Sequence, residues 1–201
     1  MPAVADKALL IVDVQNDFCP GGSLAVREGD HVVPVLNEYI QRFEEAGLPV
    51  FASRDWHPVK TKHFKEHGGP WPPHCVQNTR GAEFHSGLEL PADTTVVTKG
   101  TDPVDHGYSA FDGIDPAGNE LARSLRHAAI KQLYIGGLTT DYCVRTSVLD
   151  ARRQGFDTVV LLDAIRGIDV QEGDVARALD QMLRAGARTA TLATIATELS
   201  E

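Results

Sequence analysis

Residues 131–151 read KQLYIGGLTTDYCVRTSVLDA. An apolar run, a glycine pair, and then Val144, Val148 and Leu149 at helical spacing describe a strand that hands over to a helix. The rest of the chain repeats that handover. Ala8–Val14 (ALLIVDV), Pro49–Ser53 (PVFAS), Thr94–Gly100 (TTVVTKG) and Asp157–Asp163 (DTVVLLD) are further short apolar runs, and Ala190–Thr194 (ATLAT) is a candidate sixth strand. Between them lie helical faces. One runs through Val32, Val33, Leu36, Tyr39, Ile40 and Phe43 towards Gly47, with Asp30 as candidate cap; one covers Pro116–His127; one runs through Val175, Ala178, Leu179, Met182 and Leu183. Strands alternating with helices predict a three-layer, doubly wound α/β fold with a mostly parallel sheet flanked by helices. With 201 residues and no evident linker, residues 1–201 are expected to form one domain.

The bulk composition narrows the function. A formal net charge of -9 speaks against nucleic-acid binding, whose footprint is a basic patch. No apolar stretch approaches the length of a membrane span. The opening MPAVADKALLIVDVQ lacks the basic, apolar and cleavage regions of a secretory leader, so a cytoplasmic protein is expected. Three cysteines cannot all pair within one chain, and in a reducing compartment all three are expected as thiols.

In parallel α/β folds ligands bind beyond the carboxyl ends of the strands. Asp13 ends the first predicted strand, Asp55 follows the second, Lys99 ends the third and Cys143 follows the fourth. These complementary groups are expected on one rim. A cysteine attacks as its thiolate, and both the helix beginning near Cys143 and a nearby Lys99 would lower the thiol pKa. Asp13 can take the thiol proton and return it to a leaving group. Backbone N–H groups in the Leu138–Cys143 turn can face an oxyanion. The competing readings are a buried structural cysteine, a capping Asp13 and a solvated Lys99. Cys19 and Cys75, away from any such handover, are read as structural.

The segment from Arg54 to about Leu90 is rich in Gly, Pro and His and too long for an ordinary connection. Asp55 and His57 alternate onto one side of an extended stretch, and His63, His67 and His74 follow. Carboxylate and imidazole suit a borderline divalent ion with an open position; a histidine-rich surface loop is the alternative.

Taken together, LLIVDVQNDFCPGGSLAV, DWHP, GGPWPPHCVQNTRGAEF, VTKGTD, YSAFDG and GGLTTDYCVRTSVLDA, in that order, resemble the nicotinamidases of the isochorismatase-like cysteine hydrolase superfamily. The resemblance implies a catalytic set of Asp13, Lys99 and Cys143, and one divalent metal ion (zinc, iron or manganese) on Asp55, His57 and His74. His63 falls where some members place a fourth ligand. It implies Phe18, Trp71, Leu138 and Tyr108 as substrate-binding residues, with Ser109 and Phe111 in the same segment as Tyr108. It further implies a cis Leu138–Thr139 peptide and an oxyanion hole from the Thr139 and Cys143 amides. The implied reaction is hydrolysis of nicotinamide, and of its analogue pyrazinamide, through a cysteine thioester in NAD salvage. Monomer and homo-oligomer both stay open. Two rivals stand beside this reading: a metal-independent carbamoyl or ureido amidohydrolase of the same superfamily, and a non-catalytic binding protein.

Overall fold

The structure is a computed structural model and describes residues 6–104 and 106–199. The expectations of one domain over 1–201 and of no leader take in residues 1–5, 105, 200 and 201, which lie outside the described residues. The strands are β1 (Lys7–Val12), β2 (Val50–Asp55), β3 (Thr95–Lys99), β4 (Gln132–Leu138), β5 (Asp157–Arg166) and β6 (Arg188–Ala190). They form one six-stranded sheet in the order β3-β2-β1-β4-β5-β6, and every neighbouring pair is parallel. The chain winds outward from β1 in one direction, returns to β4, and winds outward in the other. The order reverses between β1 and β4, so a crevice opens where those two strands end.

Alternation along β1 sends side chains to two cores. Leu9 and Ile11 pack with Leu36, Tyr39 and Phe43 of α1 (Val32–Glu45). Ala8, Leu10 and Val12 join Leu121 and Leu125 of α2 (Leu121–His127), Val148 of α3 (Arg145–Arg153) and Met182 of α4 (Asp174–Arg184). The last helix, α5 (Leu192–Leu199), returns to the first face through Ile195. A sheet covered on both faces has little use for polar alternation, which explains the near-continuous apolar runs.

The structure corrects several local expectations. Asp30 does not cap α1; it lies within a 3₁₀ turn, Gly29–His31, that runs straight into the helix. The helix expected from Pro116 begins at Leu121, because Asp115 Oδ1 accepts the N–H groups of Ala117 and Asn119 and holds a turn there. The expected strand Ala190–Thr194 is mostly the start of α5. Thr194 Oγ1 accepts the Thr191 N–H at 3.1 Å, and Asp163 Oδ2 accepts the Leu192 N–H at 2.8 Å, so side chains satisfy the first donors of a helix instead. β1 stops at Val12 because Asp13 turns into the left-handed region, at φ 48°.

The β1–β4 seam needs a glycine. Gly137 has φ 121°, and a Cβ there would lie 2.1 Å from the Val12 carbonyl oxygen. The backbones meet too closely at the end of the seam for any side chain.

Candidate active site

Asp13, Asp55, Lys99 and Cys143 meet at the carboxyl edge of β1–β4. Asp55 and Lys99 are register partners at the ends of β2 and β3. Lys99 reaches across β2, and its Nζ lies 2.7 Å from Asp13 Oδ2 and 3.6 Å from Cys143 Sγ. It donates also to Asp55 Oδ1 and, at 2.9 Å, to the Gly107 carbonyl. The side chain is a buried ammonium, 1% exposed, and not a solvated turn residue. Ser53 Oγ donates to Asp13 Oδ1 at 2.7 Å.

Two carboxylates around one ammonium are pushed apart in acidity. Burial raises the Asp13 pKa, Lys99 only partly offsets that, and the Asp55 charge adds to it. Asp55 is buried too, but Lys99 and the neighbouring His57 outweigh burial and hold it well below the usual carboxylate range. Burial pulls Lys99 down, and Asp13 with Asp55 reverses this, holding it well above the lysine range. Asp13 is therefore the more basic carboxylate, and Asp55 the permanent anion. For Cys143 the sequence expectation of a lowered pKa is reversed. Burial raises it; Lys99 opposes, but the carboxylates of Asp13 and Asp55 raise it further, as does a hydrogen bond with Asp13. Burial and both carboxylates thus favour the thiol over the thiolate, with Asp13 the more basic carboxylate beside it.

Cys143 sits in a π-helical turn, Thr140–Val144, that joins β4 to α3. The Thr139 carbonyl accepts the N–H groups on either side of it, from Tyr142 and Val144, both at 3.1 Å. The Leu138–Thr139 peptide is cis.

Beside these groups lies a second cluster. Ring nitrogens of His57, His63 and His74, all buried, fall within 4.8 Å of one another. The loop that carries them is anchored through Gln15, which donates to the Asp55 and Ala82 carbonyls and accepts the Asp55 N–H, each at 2.8 Å. Asp17 Oδ2 accepts the Cys75 N–H at 2.7 Å. His57 Nδ1 donates to the Gly100 carbonyl at 3.0 Å and His74 Nδ1 to the Pro72 carbonyl at 2.8 Å. Both Nε2 atoms are thereby left as lone-pair donors. His57 Nε2 is buried with no hydrogen-bond partner and lies 3.4 Å from Asp55 Oδ2. Burial, together with His57 and His74, lowers the His63 pKa to about 3, so that ring is neutral. Three clustered imidazoles, one with an orphaned nitrogen, beside a carboxylate oxygen fit a divalent cation. Gly100 lets His57 approach: its φ is +65°, and a Cβ would lie 2.5 Å from His57 Cε1. His67 is exposed and does not join the cluster.

Cys143 and Asp55 from the first cluster and His63 and His74 from the second line one cavity of about 20 Å³, together with Phe18, Trp71, Tyr108 and Thr139. The free space is about that of a single water, far below a drug-sized pocket. Trp71 Nε1 donates to Tyr108 Oη at 2.9 Å, and the Trp71 ring meets Tyr142 edge-on at 4.8 Å. Leu138 is fully buried in the core and is absent from the cavity wall. Ser109 caps a short 3₁₀ turn and Phe111 packs into the core, so Tyr108 alone of that segment reaches the cavity. Leu24, Tyr142 and Ile168 complete the wall, and sequence reasoning missed them, as it missed Ser53, Gln15 and Asp17. Ser53 carried a signal, since it is the polar residue two before Asp55 on one strand face. Wider clefts beside Arg80 and beside Leu179 contain neither Cys143 nor the clustered histidines.

A thiol, a basic carboxylate and a fixed ammonium on the rim of a parallel sheet are the parts of a cysteine-dependent hydrolase working by acyl transfer. Residues 7–195 match the isochorismatase domain, and the chain belongs to that family. It is 42% identical to the nicotinamidase of Escherichia coli over 93% of this chain and 95% of that one. It is 39% identical to the nicotinamidase/pyrazinamidase of Mycobacterium tuberculosis, over 81% and 87%. The fold matches the crystal structure of the pyrazinamidase of Pyrococcus horikoshii in complex with zinc, with a TM-score of 0.86, 45% identity, and 93% and 99% of the two chains covered.

Proposed function

We propose that this chain is a nicotinamide amidohydrolase, converting nicotinamide and water to nicotinate and ammonia. The observation that carries the reading is that Cys143, with Lys99 and Asp13 packed behind it, faces the same small cavity as His63 and His74 of the histidine cluster. In the reaction Asp13 takes the Cys143 proton as sulfur attacks the carboxamide carbon. The Thr139 and Cys143 amides receive the charge that develops on oxygen. Asp13 returns the proton to the departing nitrogen, ammonia leaves, and a thioester remains. Water, deprotonated by Asp13, attacks the thioester and frees nicotinate and the Cys143 thiol. Lys99 stays charged throughout and holds Asp13 against the sulfur.

Asp55, His57, His63 and His74 would hold one divalent ion. When bound, such an ion supplies a Lewis-acidic point for the pyridine nitrogen of the substrate. Phe18, Trp71 and Tyr108 would flank the ring, and pyrazinamide, which keeps a ring nitrogen, falls in the same substrate class. Zinc is the favoured ion, because imidazole and carboxylate donors suit it and the Pyrococcus horikoshii structure is a zinc complex. No helix among the described residues is long and apolar enough to cross a membrane. A cytoplasmic location belongs to the same reading, since a reducing compartment keeps Cys143 a thiol. A metal-independent carbamoyl amidase would leave the histidine cluster without a purpose. Ammonia release from nicotinamide and from benzamide, before and after chelation, tests the proposal. Strong preference for nicotinamide that chelation abolishes is expected, and equal turnover of both amides by metal-free protein would overturn it.

A further inference from the structure

The three clustered histidines are held in the same manner with one exception. In each, Nδ1 is engaged by a neighbour. For His57 and His74 that neighbour is a backbone carbonyl, of Gly100 and Pro72. A carbonyl only accepts, so those rings are fixed with the proton on Nδ1 and the lone pair on Nε2. For His63 the neighbour is another side chain: its Nδ1 lies 3.0 Å from Nδ1 of His106. That bond has two possible senses. If His63 donates, its Nε2 is a lone pair available to the cluster. If His106 donates, the His63 proton sits on Nε2, inside the cluster, and the ring cannot ligate.

We propose that His106 is a positioning residue for the metal: by accepting from His63 Nδ1 it sets the tautomer that makes His63 a fourth ligand. The inference rests on the metal site of the preceding section and adds a residue outside it. The geometry around His106 suits the role. Its ring lies nearly parallel to Tyr108, at 14° and 5.5 Å between centroids. The stack fixes the direction in which Nδ1 points. His106 is itself exposed, so no core packing depends on it. Of the three histidine supports, it alone is a side chain that a substitution can remove without moving the backbone. His63 is thus the ligand whose grip is separately adjustable.

The test is the rate at which the zinc-loaded protein yields its metal to a chelator. His106→Ala removes the acceptor, and release should quicken about 10- to 100-fold, the usual cost of losing an outer partner of a ligating histidine. His106→Asn, whose Oδ1 replaces the ring nitrogen as acceptor, should restore most of the retention. In a His63→Ala background His106→Ala should have no further effect, because the residue acts only through His63. Thermal unfolding of the metal-free His106→Ala protein should match the parent. An unchanged release rate in His106→Ala overturns the inference while leaving the metal site intact. Equal acceleration with and without His63 also overturns it, since His106 would then act by another route. Wild-type protein that retains no zinc removes both the site and the inference.

Discussion

The site is built from two regions made by different rules. Asp13, Asp55, Lys99 and Cys143 stand at or just beyond the ends of four adjacent parallel strands, and the sheet ladder sets their spacing. His57, His63 and His74 stand on irregular chain, and single side-chain hydrogen bonds set theirs, to carbonyls for His57 and His74 and to His106 for His63. Strand-borne groups can be read by counting along a register. Loop-borne groups depend on contacts that no periodicity announces. Under the proposed reaction the division is also chemical, since the strand region would handle protons and the carbonyl carbon while the loop region would hold the ring. Asp55 belongs to both, with one oxygen on Lys99 and the other towards His57.

The hardest blow falls on the strand region. Cys143→Ala should reduce turnover to background, by about a millionfold, while the protein still binds zinc; measurable nicotinate formation by that variant would falsify the thioester route. Asp13→Asn keeps the shape and cannot accept the proton. A fall in kcat of about a hundred- to ten-thousandfold is expected from protein that still folds, and wild-type kcat would return the base role to another group.

Damage to the loop region should look different. Gly100→Ala forces a Cβ against His57 in a left-handed backbone position. Metal affinity and KM for nicotinamide should each worsen about tenfold or more, yet Cys143 should still react with a small thiol reagent at the wild-type rate. If the reagent rate collapsed as well, the two regions would not be separable as described. Gln15→Leu cuts the tie between β2 and the loop and leaves the buried Asp55 and Ala82 groups unpaired. A loss of about 1–3 kcal/mol of stability is expected by chemical denaturation, with a larger effect on KM than on kcat.

The smallest effect is a control outside both regions. The N–H groups of Asn119 and the hydroxyl of Ser124, the larger causes, hold the Asp115 pKa down to about 2. A carboxylate with a depressed pKa adds stability that is present above its unfolded value, near 3.9, and is lost as pH falls through about 2. The group is partly exposed, and solvent screens it, so Asp115→Asn should cost less than about 1 kcal/mol at pH 7. The difference between variant and parent should vanish in acid, with nicotinamide turnover untouched at neutral pH.

The same contrast explains what the sequence made legible. The handover from β4 to α3 was read directly, and the rim positions of Asp13, Asp55, Lys99 and Cys143 followed from strand ends alone. The histidines could be named by type, but not their supports. Nothing about His106, two residues before Tyr108, marks it as the neighbour of His63. The Cys143 acidity was misjudged because the dipole and Lys99 are visible in sequence, whereas the burial of the sulfur, the largest cause, appears only in three dimensions. The α5 start was missed because Asp163, whose side chain accepts the Leu192 N–H, is distant in sequence.

The β1–β4 seam has one more consequence. Its last paired residues are Val12 and Gly137, and the thiol and its base hang from opposite sides of it. Asp13 stands in the first half of the chain and Cys143 in the second, so the two meet only once β1 and β4 have paired. Lys99 joins them only when β2 and β3 have added on the far side of β1, which makes the site a product of the whole sheet and not of any one segment.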